Sequence, residues 1–348
     1  MATTANPLHP LRSATTAVRK FFYYRESSKL PRPPRRSVRV FLFLLALLLP
    51  AAAAAAPPPP RTFPLWPAGS LGPRQNEPEV AQDYWVRNVR NPSVTVFQPD
   101  PRHRNGAAMV VFPGGGHKII VWTTEGTRVG EALTRYGLTV FVVKYRLAAE
   151  EGSRFDVERD AAADARRAIQ WVRAHAADYG VDPARVGAMG FSAGGELVSL
   201  IADNPEPPDP LAAVASRNAP DAIARQSARP DFQILVFPGP RGVPGKAVER
   251  APPAFIVAGS RDECCAAPAV ALYEQLRKAG VSAELHMFAE AGHAFNLDES
   301  DRISILHWPD RLADWLADGG WLDGRRGVRE GTAYLAVPAP APQKGTAR

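Results

Sequence analysis

The strongest constraint in this sequence is an alternation. Short runs rich in β-branched and aromatic residues take turns with stretches whose apolar residues recur at helical spacing. Strands are predicted at Val94–Phe97, Ala107–Phe112, Leu138–Val143, Arg185–Met189, Phe232–Phe237, Ala254–Ala258 and Ala283–Phe288. Helices are predicted between them, at 123–136, 156–179, Glu196–Ala202, 268–279 and 309–317. In the longest, Ala161, Ala165, Ala168, Ile169 and Val172 fall on one face, and Gly180 ends it. Apolar strands that each feed a helix predict an α/β fold: a mainly parallel central sheet with helices on both faces. Residues 91–320 read as one such domain, without internal repeats. A Pro/Gly-rich arm at 57–90 precedes it, and residues 328–348, with AVPAPAPQKGTAR, read as a disordered tail.

Charge narrows the class of partner. The net charge of +7 suggests nucleic acid or an acidic surface until it is divided. Residues 1–56 hold nine of the 42 Lys/Arg and one of the 35 Asp/Glu, so the remaining 33 basic and 34 acidic residues nearly cancel. The body of the chain therefore has no electrostatic footprint for nucleic acid. The basic excess belongs to a segment that reads as a leader. Basic residues stop at Arg39, the ten apolar residues Val40–Leu49 follow, and Ala51–Ala56 offers A-x-A cleavage sites. The apolar run is shorter than the ~20 residues of a comfortable membrane span. Export through a cleaved signal is the expectation, and an uncleaved membrane anchor the alternative. A start at Val38 would make a compact signal and leave residues 1–37 as a misassigned extension.

The chain has two cysteines, Cys264 and Cys265, adjacent to each other. An exported protein without a disulfide framework relies on its core for stability. Two thiols are expected here rather than a strained vicinal disulfide.

Chemistry is concentrated in Val186–Glu196, VGAMGFSAGGE. Gly190, Ser192 and Gly194 meet the pattern G-x-S-x-G between a predicted strand and a predicted helix. In that context the pattern describes a sharp turn that lifts the serine hydroxyl above the sheet edge. Small neighbours let strand and helix pass closely, and the helix N-terminus points its free amides at the hydroxyl. A serine at its ordinary acidity needs a base, and the base needs an orienting acid. The expected chain order is serine, acid, histidine. Asp262 follows the strand ending at Ala258, in AGSRDE, and His293 follows the strand ending at Phe288, in EAGHAF. Glu263 is the competing acid, and a helix-capping role the competing use of Asp262. His286 falls within a strand, His307 opens the last helix, and His103, His117 and His175 precede the serine. An oxyanion needs donors as well. Phe112–His117, FPGGGH, follows a buried strand, so the Gly115 and Gly116 amides, with that of Ala193, are the candidate oxyanion hole. No G-K-[ST] follows those glycines, as a phosphate loop would require.

With these pieces placed, the chain resembles the α/β-hydrolase superfamily. More closely it resembles secreted bacterial esterases of the acetyl-xylan esterase-like and hormone-sensitive-lipase-like kinds. The likeness runs from about Leu65 to Leu316, through PLWPAGS, VFPGGGH, VKYRL, the elbow and AGHAF. It implies hydrolysis of short acyl esters, acetyl groups on polysaccharide among them, with no cofactor and no metal. The implied partner is a small ester or an acetylated polysaccharide; the membrane enters only through an uncleaved leader. The resemblance leaves open a feruloyl or other bulky-acyl esterase, a serine peptidase, and a catalytically dead carbohydrate-binding relative. Two departures stand out. Glu196 occupies a position where relatives often carry His. Only a short Pro/Gly loop separates Phe237 from Ala254, so a minimal lid and an open cleft are expected. Trp85, Trp122 and Trp308 read either as a sugar-stacking surface or as core.

Overall fold

A computed structural model describes residues 57–203, 221–242, 251–297, 300, 302–323, 326–330 and 333–337. The segment read as a leader lies outside the described residues. Among those described, no helix is long and apolar enough to cross a membrane.

The predicted alternation becomes an eight-stranded sheet. Its strands are β1 (Arg61–Pro64), β4 (Ser93–Phe97), β5 (Ala108–Phe112), β7 (Thr139–Lys144), β8 (Val186–Phe191), β9 (Gln233–Val236), β10 (Ala254–Gly259) and β11 (Ala283–Phe288). Their order across the sheet is β1-β4-β7-β5-β8-β9-β10-β11. Strands from β7 to β11 run parallel, and β1 and β4 add an antiparallel edge. Two further strands of the Pro/Gly-rich arm, β2 (Val80–Gln82) and β3 (Trp85–Arg87), form a small separate sheet with β6 (Ile120–Val121). The arm is thus partly strand, built where Pro and Gly obscured any period-2 pattern.

Side-chain alternation divides the core into two layers. Ala108, Val110 and Phe112 of β5, with Phe141 and Val143 of β7, face one layer, while Met109, Val111, Val140 and Val142 face the other. The first layer is covered by α2 (Ala162–Ala174), α3 (Ala193–Asp203) and α4 (Ala266–Lys278). The second is covered by α1 (Arg128–Thr134), α5 (Ile303–Leu306) and α6 (Trp308–Asp318). Burial on both faces explains why these strands read as continuous apolar runs. Two helices enter through π turns, Thr123–Thr127 before α1 and Val157–Ala161 before α2. Asp156 caps the second entry by accepting from the Glu158 and Arg159 amides.

Trp308 is 2% exposed and belongs to the second layer, so it is core and offers no sugar-stacking surface. Trp85 and Trp122 are half-buried; Arg87 lies over the first and Lys144 over the second. Past α6, Arg326–Glu330 and Ala333–Val337 pair as an antiparallel hairpin, β12 and β13, which overlaps the segment 328–348 read as a disordered tail. Residues 338–348 lie outside the described residues.

Candidate active site

The parallel strands all end at one edge of the sheet, and the predicted site residues gather there. Ser192 lies between β8 and α3 in a left-handed conformation, with φ of 49°. Its amide donates to the Val236 carbonyl of β9 at 3.0 Å, and its carbonyl accepts from the Glu196 amide at 3.1 Å, the first turn of α3. The flanking glycines are needed for space. A Cβ on Gly194 would lie 1.9 Å from the Phe112 carbonyl oxygen, and one on Gly190 would lie 2.2 Å from that of Gly194. No side chain fits either gap.

Asp262 follows β10 and His293 follows β11, adjacent parallel strands whose ends point the same way. The three side chains meet. His293 Nδ1–H donates to Asp262 Oδ2 at 2.7 Å. With that nitrogen protonated, His293 Nε2 accepts from the Ser192 hydroxyl at 3.0 Å. Asp262 is 3% exposed, and its other oxygen accepts from the Cys264 and Cys265 amides at 3.1 and 3.0 Å. One carboxylate thus organises the turn into α4 and orients the imidazole. Glu263 is exposed and takes no part. Phe237 packs edge-on against His293, with ring centroids 4.8 Å apart.

The cysteines depart from expectation: Cys264 and Cys265 are joined as a vicinal disulfide. The physical reason lies in the same turn. Asp262 gathers both cysteine amides, and Cys265 caps α4 with φ −127° and ψ −4°, outside the helical region. This brings the two side chains to one side.

The glycine loop faces the serine from across the site. A Cβ on Gly114 would come 3.0 Å from the Ser192 Cβ. Gly115 has φ of 121°, and a Cβ there would lie 2.3 Å from the Ile119 carbonyl oxygen. Among the described residues the Gly115 and Gly116 amides donate to no backbone carbonyl, whereas the Gly114 amide donates to Glu125 Oε2 at 2.7 Å. The Ala193 amide sits at the α3 N-terminus. The loop approaches the serine at Gly114, whose own amide is taken by Glu125, and the Ala193 amide directly follows Ser192.

Two buried acids shape this loop, and both escaped the assignment of roles from sequence. Glu125 is 4% exposed, and burial pushes its carboxyl up from 4.5 to about 7, opposed by the Gly114 amide. Glu196 Oε2 pairs with His117 Nε2 at 2.9 Å, both residues buried, and Glu196 Oε1 accepts from the Arg241 amide at 3.1 Å. Glu196 thus ties the glycine loop, α3 and the segment after β9 together. Tyr145 supports the same loop from below: its hydroxyl donates to the Pro113 carbonyl at 2.6 Å, and burial pushes its acidity far down. The sequence signal was present in GGGH and SAGGE. His directly after the glycines and Glu four residues after the serine are complementary partners that only the fold brings within reach.

The loop between Phe237 and Ala254 is described up to Gly242 and again from Ala251, and His293 remains exposed.

The BD-FAE family model matches residues 95–207, and the Dienelactone hydrolase family model matches residues 153–313. An acetylxylan esterase of Xylanibacter ruminicola is 32% identical over 138 residues, 40% of this chain and 24% of that protein. An ethyl acetate hydrolase of Pseudomonas putida is 28% identical over 169 residues, 47% of this chain and 46% of that one. The matches thus span less than half the length of these curated relatives. Among solved structures, an acetyl ester-xyloside bifunctional hydrolase from Caldicellulosiruptor lactoaceticus superposes with a TM-score of 0.59 at 24% identity, covering 75% of this chain and 97% of that one. Thermogutta terrifontis esterase 2, phosphorylated by paraoxon, superposes with a TM-score of 0.54 at 26% identity, covering 70% of this chain and 95% of that one. The parallel sheet, the serine turn after β8 and these likenesses together place the chain in the α/β-hydrolase superfamily.

Proposed function

We propose that this chain is a serine carboxylic-ester hydrolase acting on short acyl esters, with acetyl groups on xylan or a related polysaccharide as its substrate class, exported by way of residues 1–56. The observation that carries the reading is the hydrogen-bonded line from Ser192 through His293 to Asp262, 3.0 and 2.7 Å, facing a loop of glycine amides. The names of two relatives, acetylxylan esterase and ethyl acetate hydrolase, support the acetyl choice.

In this reading His293 Nε2 takes the Ser192 proton as the hydroxyl oxygen attacks the ester carbonyl. Negative charge gathers on the former carbonyl oxygen and is met by the Gly115, Gly116 and Ala193 amides. The imidazolium is stabilised and held in register by Asp262. His293 then protonates the departing alcohol oxygen as the carbon–oxygen bond breaks, leaving Ser192 acylated. Water enters, gives its proton to the same imidazole and attacks the acyl carbon. Collapse of the second tetrahedral species returns the proton to Ser192 and frees the carboxylate.

Turnover of p-nitrophenyl acetate tests the chemistry. Ser192→Ala lowers kcat by ~10⁴–10⁶ with an unchanged circular dichroism spectrum. Paraoxon, which phosphorylates the Thermogutta esterase, attaches to Ser192 here and stops turnover. Acetate release from acetylated xylan exceeds ferulate release and peptide cleavage. A preference for long-chain acyl esters overturns the short-acyl assignment, and full activity in the Ser192→Ala protein overturns the mechanism.

A further inference from the structure

Cys264 and Cys265 have no part in the mechanism above, yet they adjoin it. Asp262, Cys264, Cys265 and His293 each offer a donor atom that lies within 4.8 Å of the other three. Asp262 and Cys265 are buried, while Cys264 and His293 are exposed, so the cluster has a fixed base and a side open to a small ion. Two sulfurs, an imidazole nitrogen and a carboxylate oxygen form the donor set of tetrahedral sites for borderline and soft divalent cations. Metal–ligand bonds of about 2.0–2.3 Å imply donor separations of roughly 3.3–3.8 Å. The widest donor pairs therefore need to close by about an ångström, while the two sulfurs part on reduction and the Asp262–His293 pair, 2.7 Å apart, opens slightly; side-chain rotation supplies both movements. In the disulfide neither sulfur can serve, because the thiolate is the ligand.

We propose that reduction of the Cys264–Cys265 disulfide turns this corner of the active site into a binding site for a soft divalent cation such as Zn²⁺ or Cd²⁺, held by both thiolates and His293 with Asp262 as the fourth donor, and that occupancy disarms Ser192. The reductant is a dithiol or a phosphine. A dithiol delivers two electrons and two protons and leaves as its own disulfide; a phosphine leaves as its oxide, taking oxygen from water. Metal binding then releases the thiol protons. Disarming follows from the imidazole's existing partners. His293 uses Nδ1 for Asp262 and Nε2 for Ser192, so a metal on either nitrogen displaces one of them. The oxidised pair thus keeps the base available to the serine, and the reduced pair makes it vulnerable to metal.

The activity arm rests on the hydrolase reading; the spectroscopic arm does not. The full chain is reduced with a phosphine, freed of reductant under nitrogen and titrated with Cd²⁺. The ultraviolet charge-transfer absorption of cadmium–thiolate bonds is expected to saturate at one equivalent, and p-nitrophenyl acetate turnover to be lost with the same midpoint. Asp262→Asn weakens cadmium binding by at least ~10-fold, because the carboxylate both donates and orients the imidazole. The oxidised protein, which needs no substitution, shows no band and keeps its turnover in the same cadmium. C264S/C265S behaves likewise in either redox state. Absence of the band after reduction overturns the proposal, as does equal inhibition of oxidised protein or a band that forms without loss of turnover. An oxidised protein with no ester hydrolysis at all refutes the hydrolase reading instead and leaves the absorption test standing.

Discussion

The two walls of the Ser192 site are built on opposite principles. On the histidine wall, Asp262 is buried and accepts three hydrogen bonds, from His293 and from the Cys264 and Cys265 amides. On the glycine wall, Glu125 is buried too but accepts one, from the Gly114 amide, and its carboxyl rises to about 7. Both acids lie behind the residues that would touch substrate. The first stands where the proposed reaction develops an imidazolium, and the second beside the amides that would receive an oxyanion. An acid amply supplied with donors suits the former. An acid that burial inclines toward its neutral form suits the latter, because a fixed negative charge there would oppose the charge forming on the substrate. The number of donors, rather than depth of burial, separates the two walls.

The comparison breaks most visibly at Asp262. In the proposed mechanism Asp262→Asn supplies an amide where His293 Nδ1–H expects an acceptor, favouring the wrong tautomer. A loss of ~10⁴ in kcat follows, equivalent to about 5.4 kcal/mol of transition-state stabilisation. Steady-state kinetics with p-nitrophenyl acetate measures it. A loss below tenfold would mean that the histidine wall is held by packing against Phe237 rather than by the carboxylate.

The glycine wall answers to Glu196. Removing that carboxylate in Glu196→Ala strands the buried His117 Nε2 and the Arg241 amide, whereas Glu196→Gln keeps an acceptor for one of them. Two charge-assisted hydrogen bonds are lost in the alanine variant, so it is destabilised by about 3–4 kcal/mol. His117 Nδ1 already has no partner among the described residues, which leaves the ring no alternative anchor. Urea unfolding is the measurement, and the glutamine variant should recover a substantial part of the loss. Equal destabilisation by alanine and glutamine would show that the side chain's shape matters rather than its bonds.

What the sequence disclosed follows the same division. Strands buried on both faces are long apolar runs, so β5, β7, β8 and β10 could be read directly, with ends displaced by a residue or two; β11, a half-buried edge strand, could be read from its position after a helix instead. Ser192, Asp262 and His293 could be read because each follows a strand of a parallel sheet, and such strands deliver their following loops to one edge. The His117–Glu196 pair could not be assembled in advance. Its members stand 79 residues apart, and complementarity across that distance has no local signature. Glu125 had no signal beyond its identity, since a glutamate at the start of a helix is commonplace; its burial depends on the glycine loop folding over it. The vicinal disulfide depended on a turn set by the carboxylate of Asp262. The arm strands β1 to β3 are three or four residues each in Pro- and Gly-rich sequence, too short for a period of two to emerge.

The smallest effect is the one that isolates Glu125. Below about pH 4.5 its carboxyl is protonated in both the folded and the unfolded chain. As pH rises toward 7 the unfolded chain releases the proton while the folded protein retains it, so folding stability falls across that window and levels off above it. The shift from 4.5 to about 7 corresponds to about 3 kcal/mol at most. Glu125→Gln offers the Gly114 amide a carbonyl oxygen and does not titrate. Its stability relative to the parent should therefore improve by up to about 3 kcal/mol between pH 4.5 and pH 8. Asp203, also raised to about 7 by burial, and Asp231, raised in the same direction, tilt both proteins alike and cancel in the difference. Urea titrations of the two proteins at those pH values measure the difference directly. Parallel stability profiles would mean that Glu125 titrates in the folded protein as it does in the unfolded chain, so that the glycine wall carries a negative charge at neutral pH.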